Sequence, residues 1–428
     1  MPDLLQIYAD RGFLQDATPG LAARLRQGPV TAYVGFDPTA DSLHVGNLVP
    51  VMGLAWLQRA GGTPIVLVGA GTAMVGDPSG KRQERPVLEL ERIDANAAAM
   101  RTQLARFLCF EGANAARMRN NADWLRHLSL MEFLRDAGKH FTLSYMLQKE
   151  SVKSRMETGI SYTEFSYMLV QAYDYWHLFQ TEGCELQIGG SDQWGNITAG
   201  IELISRRERR EVHGAVFPLI TTASGNKFGK SEGENVWLDP ARTSPYRFYQ
   251  FWLNADDRDV ERYLKLFTFL ELDEIDRILT EQSADPARRA AQRALAREVT
   301  RLVHGEEEGE RARVASEALF GSVTGTKTVR ADVSVAANEV IAESSDIPVH
   351  TIAPSEFGDR MPLVDVLIRC GLASSKADAR RGIQGRGFYI NDEQVNDVRR
   401  WLTSDDFGGR DWVLLRKGKK NYVKLVLR

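Results

Sequence analysis

The chain has 428 residues, of which 43% are hydrophobic and 26% charged, and a formal net charge of −3. Its length predicts two or three domains, and its composition excludes a disordered or low-complexity chain. No apolar run approaches the ~20 residues of a membrane span, and Asp3, Asp10 and Arg11 stand where a signal peptide has its apolar core. We therefore expect a soluble, cytoplasmic protein.

The charge is unevenly distributed along the chain. Residues 361–428 carry 14 Lys and Arg against 8 Asp and Glu, or +6, whereas residues 1–360 carry 40 against 49, or −9. The basic end is the candidate surface for a polyanion. The three cysteines, Cys109, Cys184 and Cys370, have no CxxC pair or His-rich partner, which favours reduced thiols over a zinc site.

A strand, a turn and a helix are predicted in succession after a mostly helical segment over residues 1–30. The strand is Thr31 to Phe36, the turn is Asp37-Pro38, and Asp41-Ser42 could cap a helix that begins near Leu43. The first turns of that helix would hold His44, Gly46 and Asn47. Free backbone N–H groups at such a helix start can bind phosphate, although a polar helix start with one surface histidine explains the pattern equally well.

A second buried strand, Pro64 to Gly69, completes a right-handed βαβ unit and predicts a doubly wound, Rossmann-like parallel sheet. The glycine-rich segment after it matches neither a dinucleotide fingerprint nor a phosphate loop fully. In this fold, its Asp77, Lys81 and Arg85 would still line the ligand side of the sheet. Residues from about 95 to 165 read as a helical insertion, whose apolar side chains pack in the core or cover a partner subunit.

Two further segments combine a predicted element with polar side chains. Tyr167, Gln171 and Asp174 form one stripe of a helix, which is either a solvated face or a polar binding surface. After a strand at Glu185 to Ile188 come Gly190, Asp192 and Gln193, which either cap the next helix or bind a ribose.

The last 208 residues from Thr221 are predicted to hold a loop, a helical region and a separate module. The lysine loop, residues 221–234, carries Lys227, Lys230 and Ser231, and reads either as a solvated loop or as a mobile loop that follows a polyphosphate. Helices continue to about residue 320, residues 321–360 read as a linker, and residues 361–428 as two short helices, a strand and a hairpin.

Taken together, these segments resemble the bacterial tyrosyl-tRNA synthetases. PTADSLHVGN, residues 38–47, resembles the HIGH signature of class I aminoacyl-tRNA synthetases, and KFGKS, residues 227–231, resembles KMSKS. The stripe on the predicted helix, Tyr33 and GGSDQWGN make the match specific, and the basic end resembles an S4-type RNA-binding domain. The resemblance implies a catalytic domain over residues 1–220, a helical domain over 221–320 and a small α+β domain over 361–428.

The resemblance also implies a tyrosine site and an ATP site. Residues matching the tyrosine site are Tyr33 and Asp174 at the phenol, Asp77, Tyr167 and Gln171 at the amino group, and Gln193 near the carboxylate. Residues matching the ATP site are Asp37, Thr39, His44, Gly46, Asn47, Gly190, Asp192, Lys227, Lys230 and Ser231. The catalytic work would fall to His44, Lys227, Lys230, Asn47 and Thr39, with Lys81 and Arg85 near phosphate or tRNA.

The implied activity is tyrosine–tRNA ligation, with ATP as a substrate accompanied by Mg²⁺ and no tightly bound protein-ligated metal. The implied partner is tRNA(Tyr), and the implied assembly is a homodimer. Asn47 stands where the signature has its last histidine, and Val34 where many relatives have a small polar or thiol side chain. We expect these two departures to affect nucleotide affinity more than the type of reaction. A tryptophanyl-tRNA synthetase and an inactive, synthetase-like RNA-binding protein are the alternatives. Tyr33 with Asp174 argues against the first, and His44 with the intact lysine loop against the second.

Overall fold

The computed structural model describes residues 3–77, 79, 90–156, 159–225, 228–231, 234–320, 348–391, 393–418 and 421–428. Lys81, Arg85 and Lys227 lie outside these residues, as does the predicted linker up to residue 347. Contacts divide the chain into two compact units, Met1–Thr243 with Phe251–Val303, and Ser244–Gln250 with His304–Arg428. The domain boundaries expected from the sequence stay predictions.

The first unit is built on a six-stranded sheet with helices around it. Its strands are β1 (Asp16–Ala17), β2 (Thr31–Phe36), β3 (Thr63–Val68), β4 (Arg117–Asn120), β5 (Cys184–Gly190) and β6 (His213–Phe217). Its helices up to β6 are α1 (Leu4–Asp10), α2 (Leu21–Arg26), α3 (Leu48–Arg59), α4 (Leu90–Leu104), α5 (Ala122–Leu125), α6 (Leu130–Asp136), α7 (Leu143–Leu147), α8 (Glu150–Met156), α9 (Tyr162–Glu182) and α10 (Trp194–Glu208).

The strand order of this sheet is β1-β6-β5-β2-β3-β4, and all neighbours are parallel except β1 with β6. The chain goes from β2 through α3 to β3 on one side and later returns through α9 to β5 on the other side of β2. The direction of winding therefore changes between β2 and β5, and ligands of doubly wound sheets bind at the carboxyl ends of the strands beside such a point. The predicted fold class is confirmed.

Sequence reasoning missed β4. Its four residues, RMRN, are all half-buried and lie at the edge of the sheet, so they lack the apolar run that identifies β3, whose TPIVLV is buried from Pro64 onward. The predicted helical insertion therefore contains one strand of the sheet. Residues just after β4 consequently reach the same edge as those after β2 and β5.

The expected helix cap at Asp41-Ser42 is also wrong. A 3₁₀ turn occupies Val45–Asn47, and α3 begins only at Leu48. The capping residue is His44, because its Nδ1 accepts the backbone N–H of Gly46 at 3.0 Å and its own N–H donates to Asn47 Oδ1 at 3.0 Å. Asp41 instead forms an ion pair with Arg242 at 2.9 Å.

The chain continues through two short strands, β7 (Lys230–Ser231) and β8 (Glu234–Asn235), into a helical region. Its helices are α11 (Pro245–Leu253), α12 (Asp257–Phe267), α13 (Leu272–Ala284), α14 (Ala290–His304) and α15 (Glu306–Phe320), as the sequence predicts. Helix α12 shows why these segments fold: Val260, Tyr263, Leu264 and Phe267 recur at helical spacing and all are buried. Among the described residues, no helix has the length and apolar character that a membrane crossing requires.

The second unit ends in a small α+β module. Its elements are β9 (Val349–Ile352), α16 (Pro354–Phe357), β10 (Arg360–Pro362), α17 (Leu363–Arg369), α18 (Lys376–Gln384), β11 (Phe388–Ile390), β12 (Glu393–Val395), β13 (Trp401–Thr403), β14 (Trp412–Lys417) and β15 (Asn421–Leu427). The two predicted helices, the strand and the hairpin β14–β15 are confirmed. Leu367, Ile383, Phe388 and Val413 pack in its core.

Candidate active site

Tyr33 and Asp174 lie together in the interior, beside the point where the sheet changes its direction of winding. Both are 1% exposed, Tyr33 on β2 and Asp174 on α9. The Tyr33 hydroxyl is buried without a hydrogen-bond partner. Burial raises the pKa of Tyr33 well above its usual range, and the nearby carboxylate of Asp174 raises it further. An unpaired buried hydroxyl is costly, and such an atom is ready to bond a polar group of a ligand.

Asp174 is held by two donors that sequence reasoning did not find. Asn121 Nδ2 donates to one carboxylate oxygen at 2.9 Å, and Trp124 Nε1 donates to the other at 2.7 Å. Burial raises the pKa of Asp174 to about 7, although these two hydrogen bonds lower it. Asn121 follows β4 directly, so the unrecognised strand is the reason that both donors were missed.

A second unpaired polar atom lies one strand away. Gln187 on β5 is the register partner of Tyr33, is 3% exposed, and its Oε1 has no hydrogen-bond partner. Nothing in the sequence marks this glutamine, since it stands within an otherwise ordinary strand. Two strands therefore carry unsatisfied side chains at neighbouring positions.

The polar stripe on α9 faces the interior at both of its ends. Tyr167 is 5% exposed and contributes, with Asp174, to the electrostatic environment of Tyr33. Gln171 lies between them on the helix and is half-buried. The solvated-face interpretation is thus wrong for Tyr167 and Asp174.

Asp77 and Gln193 are joined by a hydrogen bond between the segments that follow β3 and β5. Gln193 Nε2 donates to Asp77 Oδ2 at 2.7 Å, and the Ser79 backbone N–H donates to Asp77 Oδ1 at 2.9 Å. Asn196 Nδ2 donates in turn to Gln193 Oε1 at 3.1 Å. The carboxylate of Asp77 is 7% exposed, so a cationic group arriving here meets a buried, oriented acceptor.

Four of the expected ATP residues lie after β2, at the end of β5 or just beyond it. The Thr39 backbone N–H donates to the Asp37 carbonyl at 2.8 Å, and the Thr39 side chain is exposed. Asp192 is exposed, and a Cβ added at Gly190 would lie 2.6 Å from its Oδ1, so only glycine fits there without displacing that carboxylate.

The His44 segment, Leu43–Asn47, is paired with the chain that returns from the lysine loop. The Val45 N–H donates to the Val236 carbonyl at 2.9 Å, and the Leu238 N–H donates to the Leu43 carbonyl at 2.8 Å. The Trp237 ring meets the His44 ring edge-on at 5.9 Å, and the Arg242 guanidinium lies 4.3 Å above the Trp237 ring. The imidazole is thus packed as well as hydrogen-bonded.

Lys230 is also paired with that returning chain. The Val236 N–H donates to the Gly229 carbonyl at 3.0 Å, and β7 pairs with β8 through Lys230 and Asn235. The Lys230 side chain is exposed, which suits a group that contacts a ligand. The His44 segment and the lysine loop, far apart in sequence, are therefore neighbours in the fold. Among the described residues, no three His, Cys, Asp or Glu side chains are grouped to hold a metal ion.

Two family models match the chain. The family described as tRNA synthetases class I (W and Y) matches residues 25–321, and the tyrosine–tRNA ligase SYY-like C-terminal domain matches residues 339–425. A tyrosine–tRNA ligase from Anaeromyxobacter dehalogenans is 59% identical over 428 residues, covering 100% of both chains. One from Roseiflexus castenholzii is 54% identical over 432 residues and also covers 100% of both chains.

Solved structures of aminoacyl-tRNA synthetases also match this chain. A C-terminally truncated mitochondrial tyrosyl-tRNA synthetase from Aspergillus nidulans matches with a TM-score of 0.68 and 35% identity, covering 75% of this chain and 95% of that one. A tryptophanyl-tRNA synthetase from Encephalitozoon cuniculi has a TM-score of 0.52 at 12% identity, covering 72% and 87%, and shares the fold alone.

The fold and the site thus define a class I aminoacyl-tRNA synthetase. Within that class, the chain belongs to the tyrosine–tRNA ligase family, as the resemblance predicts, and the tryptophanyl alternative is not favoured. It is an enzyme of protein biosynthesis.

Titration of Asp174 should make the stability of the folded protein depend on pH. Its folded-state pKa of about 7 lies above the ordinary value of 3.8, so the folded protein binds the proton more tightly than the unfolded chain. The resulting stabilisation is full below about pH 4 and is lost as the pH rises to about 7. Relative to Asp174→Asn, the wild-type free energy of unfolding should fall by about 3 kcal/mol between pH 5 and pH 8.

Urea unfolding of both proteins at each pH measures this difference. Taking the difference between the two proteins removes the titration of all groups that they share. A difference that stays constant from pH 5 to pH 8 contradicts the assignment of the raised pKa to Asp174.

Proposed function

We propose that the described residues form the tyrosine site in the following way. The substrate phenol lies between the Tyr33 hydroxyl and the Asp174 carboxylate, and its amino group meets Asp77, Tyr167 and Gln171. Gln193, through its bond to Asp77, lies near the reacting carboxylate. The observation that carries this proposal is the pair of buried polar groups at residues 33 and 174, of which the Tyr33 hydroxyl has no hydrogen-bond partner.

This pair also favours tyrosine over other aromatic amino acids. A phenol hydroxyl both donates and accepts a hydrogen bond, so it satisfies Tyr33 and Asp174 together, whereas an indole offers a single donor. Phenylalanine would leave the Tyr33 hydroxyl unpaired and would add no donor to Asp174 beyond Asn121 and Trp124. The discrimination of tyrosyl-tRNA synthetases against phenylalanine is a standard example of a site that rejects a substrate lacking a hydroxyl group.

ATP would lie along the His44 segment, with its ribose at Gly190 and Asp192. Its phosphates would extend towards Thr39, Lys230 and Ser231, with Asp37 nearby and Lys227 adjoining in sequence. The His44 Nδ1 accepts a backbone N–H, so the proton of the neutral ring is on Nε2, which can donate to a phosphate oxygen. Asn47, in place of the signature histidine, bonds the His44 backbone and so supports this geometry.

The chemistry follows from the charges at this site. The tyrosine carboxylate attacks the α-phosphorus in line and displaces pyrophosphate, which gives tyrosyl-adenylate. A terminal ribose hydroxyl of tRNA(Tyr) then attacks the tyrosyl carbonyl and displaces AMP. Because the carboxylate is already a nucleophile, catalysis consists of positioning the reactants and stabilising the developing phosphate charge. Mg²⁺ would accompany ATP and neutralise part of that charge, with Lys81 and Arg85 as further phosphate or tRNA contacts.

Assembly and location belong to the same proposal. Leu130, Met131, Leu143 and Tyr162, in and beside the helical insertion, are exposed by 69%, 74%, 68% and 75%. Large apolar side chains grouped in one region of sequence and left this exposed are typical of a subunit interface, so we propose a homodimer. We also propose that it acts in the cytoplasm, as expected from the sequence. Sedimentation at the mass of a single chain would contradict the dimer.

Removing the Lys230 charge tests the reaction. Lys230→Ala should slow tyrosine-dependent pyrophosphate exchange on the order of 100-fold or more, because the lysine would bind the leaving pyrophosphate most tightly in the transition state. Tyrosine affinity, measured by equilibrium dialysis, should change little. Lys265→Ala, at a lysine of α12 that pairs with Glu261 at 2.6 Å, is the matched control.

The three candidate functions separate in this assay. Exchange that depends on tyrosine supports the proposal, exchange that depends on tryptophan supports the alternative enzyme, and no exchange with either supports an inactive scaffold. A Lys230→Ala variant that exchanges at the wild-type rate removes this lysine from the mechanism.

The basic C-terminal module is proposed to bind the tRNA. Arg380, Arg381 and Arg386 are exposed in and beside α18, where they can contact phosphates. Arg380→Ala/Arg381→Ala should raise the KM for tRNA and reduce the slope of log KM against log salt by about 1 to 2, while pyrophosphate exchange, which needs no tRNA, stays unchanged. An unchanged salt slope contradicts these contacts.

A further inference from the structure

Phe228 is a hydrophobic side chain in the middle of the polar lysine loop. It follows Lys227 in sequence and precedes Lys230 by two residues, yet it is only 6% exposed. The contacts of its ring explain why this aromatic residue is buried within an otherwise polar segment.

Four aromatic side chains surround that ring, and we name them the aromatic box. They are Phe251 at 5.9 Å, Trp252 at 5.9 Å, Tyr263 at 5.1 Å and Phe267 at 5.3 Å between ring centroids. The rings of Phe228 and Phe267 are nearly parallel, at 8°. Offset and tilted ring pairs at these distances attract one another, so the box fixes both the position and the orientation of Phe228.

The same helix also holds the loop before Phe228. Asp259 of α12 is 6% exposed, and its Oδ2 accepts the backbone N–H of Ala223 at 2.8 Å. Since Tyr263 and Phe267 lie one and two turns further along α12, a single helix contacts the loop at two points. The start of the loop and its centre are therefore held on one rigid element.

Immediately after Phe228 the chain meets the His44 segment. Gly229 has a φ of +86°, and a Cβ placed there would lie 2.9 Å from Val45 Cγ2, so the turn requires glycine. The Gly229 carbonyl accepts the Val236 N–H, whose residue in turn bonds Val45. Phe228 is thus held by the aromatic box, the next residue, Gly229, contacts the His44 segment, and Lys230 follows Gly229.

We propose that Phe228 is a positioning residue for tyrosine activation: its ring, fixed in the aromatic box, sets where the Lys230 ammonium lies relative to His44. The inference rests on the proposed role of Lys230 at the leaving pyrophosphate. Phe228 itself touches no substrate. Loss of its ring would leave Lys230 chemically intact but displaced, and displacement of a catalytic group by about 1 Å can cost on the order of 100-fold in rate.

The test replaces the ring by smaller and by equivalent side chains. Phe228→Leu should lower the kcat of tyrosine-dependent pyrophosphate exchange on the order of 10- to 100-fold, with the tyrosine Kd changed less than about twofold. Phe228→Met should recover most of the rate, because a flexible thioether fills an aromatic pocket and contacts ring edges favourably. A residue that merely stabilised the fold would not separate kcat from tyrosine binding in this way.

Two comparisons make the result specific. Phe357→Leu removes an equally buried ring, 4% exposed and 5.5 Å from Phe407, in the C-terminal module, and should leave exchange unchanged. In a double-mutant cycle, Phe228→Leu combined with Phe267→Leu should cost less than the product of the single effects, because both variants disrupt the same contact. Rates are divided by the concentration of active sites from tyrosine titration, so a partly unfolded variant does not mimic the effect.

The outcomes separate this inference from the proposed function. If Lys230→Ala slows exchange but Phe228→Leu keeps the wild-type rate, or loses rate and tyrosine affinity equally, the positioning role is wrong and the lysine's role stands. If Lys230→Ala itself does not change the exchange rate, the proposed role of the lysine is wrong, and the proposed positioning role of Phe228 is then wrong as well.

Discussion

Two backbone hydrogen bonds, from Val45 to Val236 and from Val236 to Gly229, hold together the two segments on which the proposed chemistry depends. Each segment alone is a modest feature, a capped 3₁₀ turn or a polar loop. Paired, they bring an imidazole donor and an ammonium group to one region beside the carboxyl ends of the strands. The proposed phenol pocket and the Asp77–Gln193 hydrogen bond would hold the tyrosine substrate next to these two groups.

The proposed tyrosine pocket carries a cost in stability that a ligand would recover. A buried carboxylate whose pKa is raised to about 7 and a buried hydroxyl without a partner are both unfavourable in the folded protein. Asn121 and Trp124 reduce that cost by donating to Asp174, and the Gly71 N–H holds Asn121 in turn by donating to its Oδ1 at 2.7 Å. The unsatisfied Tyr33 hydroxyl gives specificity, because a substrate lacking the matching hydroxyl leaves its cost in place.

The sequence predicts the central fold and most of the candidate site because these features have patterns that are local in the sequence. Strands such as Pro64 to Val68 are continuous apolar runs, the stripe of Tyr167, Gln171 and Asp174 has helical spacing, and both signatures are contiguous in sequence. What it misses depends on contacts between distant residues. β4 has no apolar pattern, so Asn121 and Trp124 could not be placed at the sheet edge, and Gln187 and the ring contacts of Phe228 have no local signal. The cap at His44 was misplaced because Asp41 is engaged by Arg242, 201 residues away in sequence.

The claim that the two segments meet at one triphosphate is tested most directly by a crystal structure of the protein with tyrosine and a non-hydrolysable ATP analogue. Phosphate oxygens of a single analogue should lie within about 3.2 Å of both the His44 Nε2 and the Lys230 Nζ. A triphosphate that contacts one of these groups while the other points into solvent, or that binds away from both, would contradict the account.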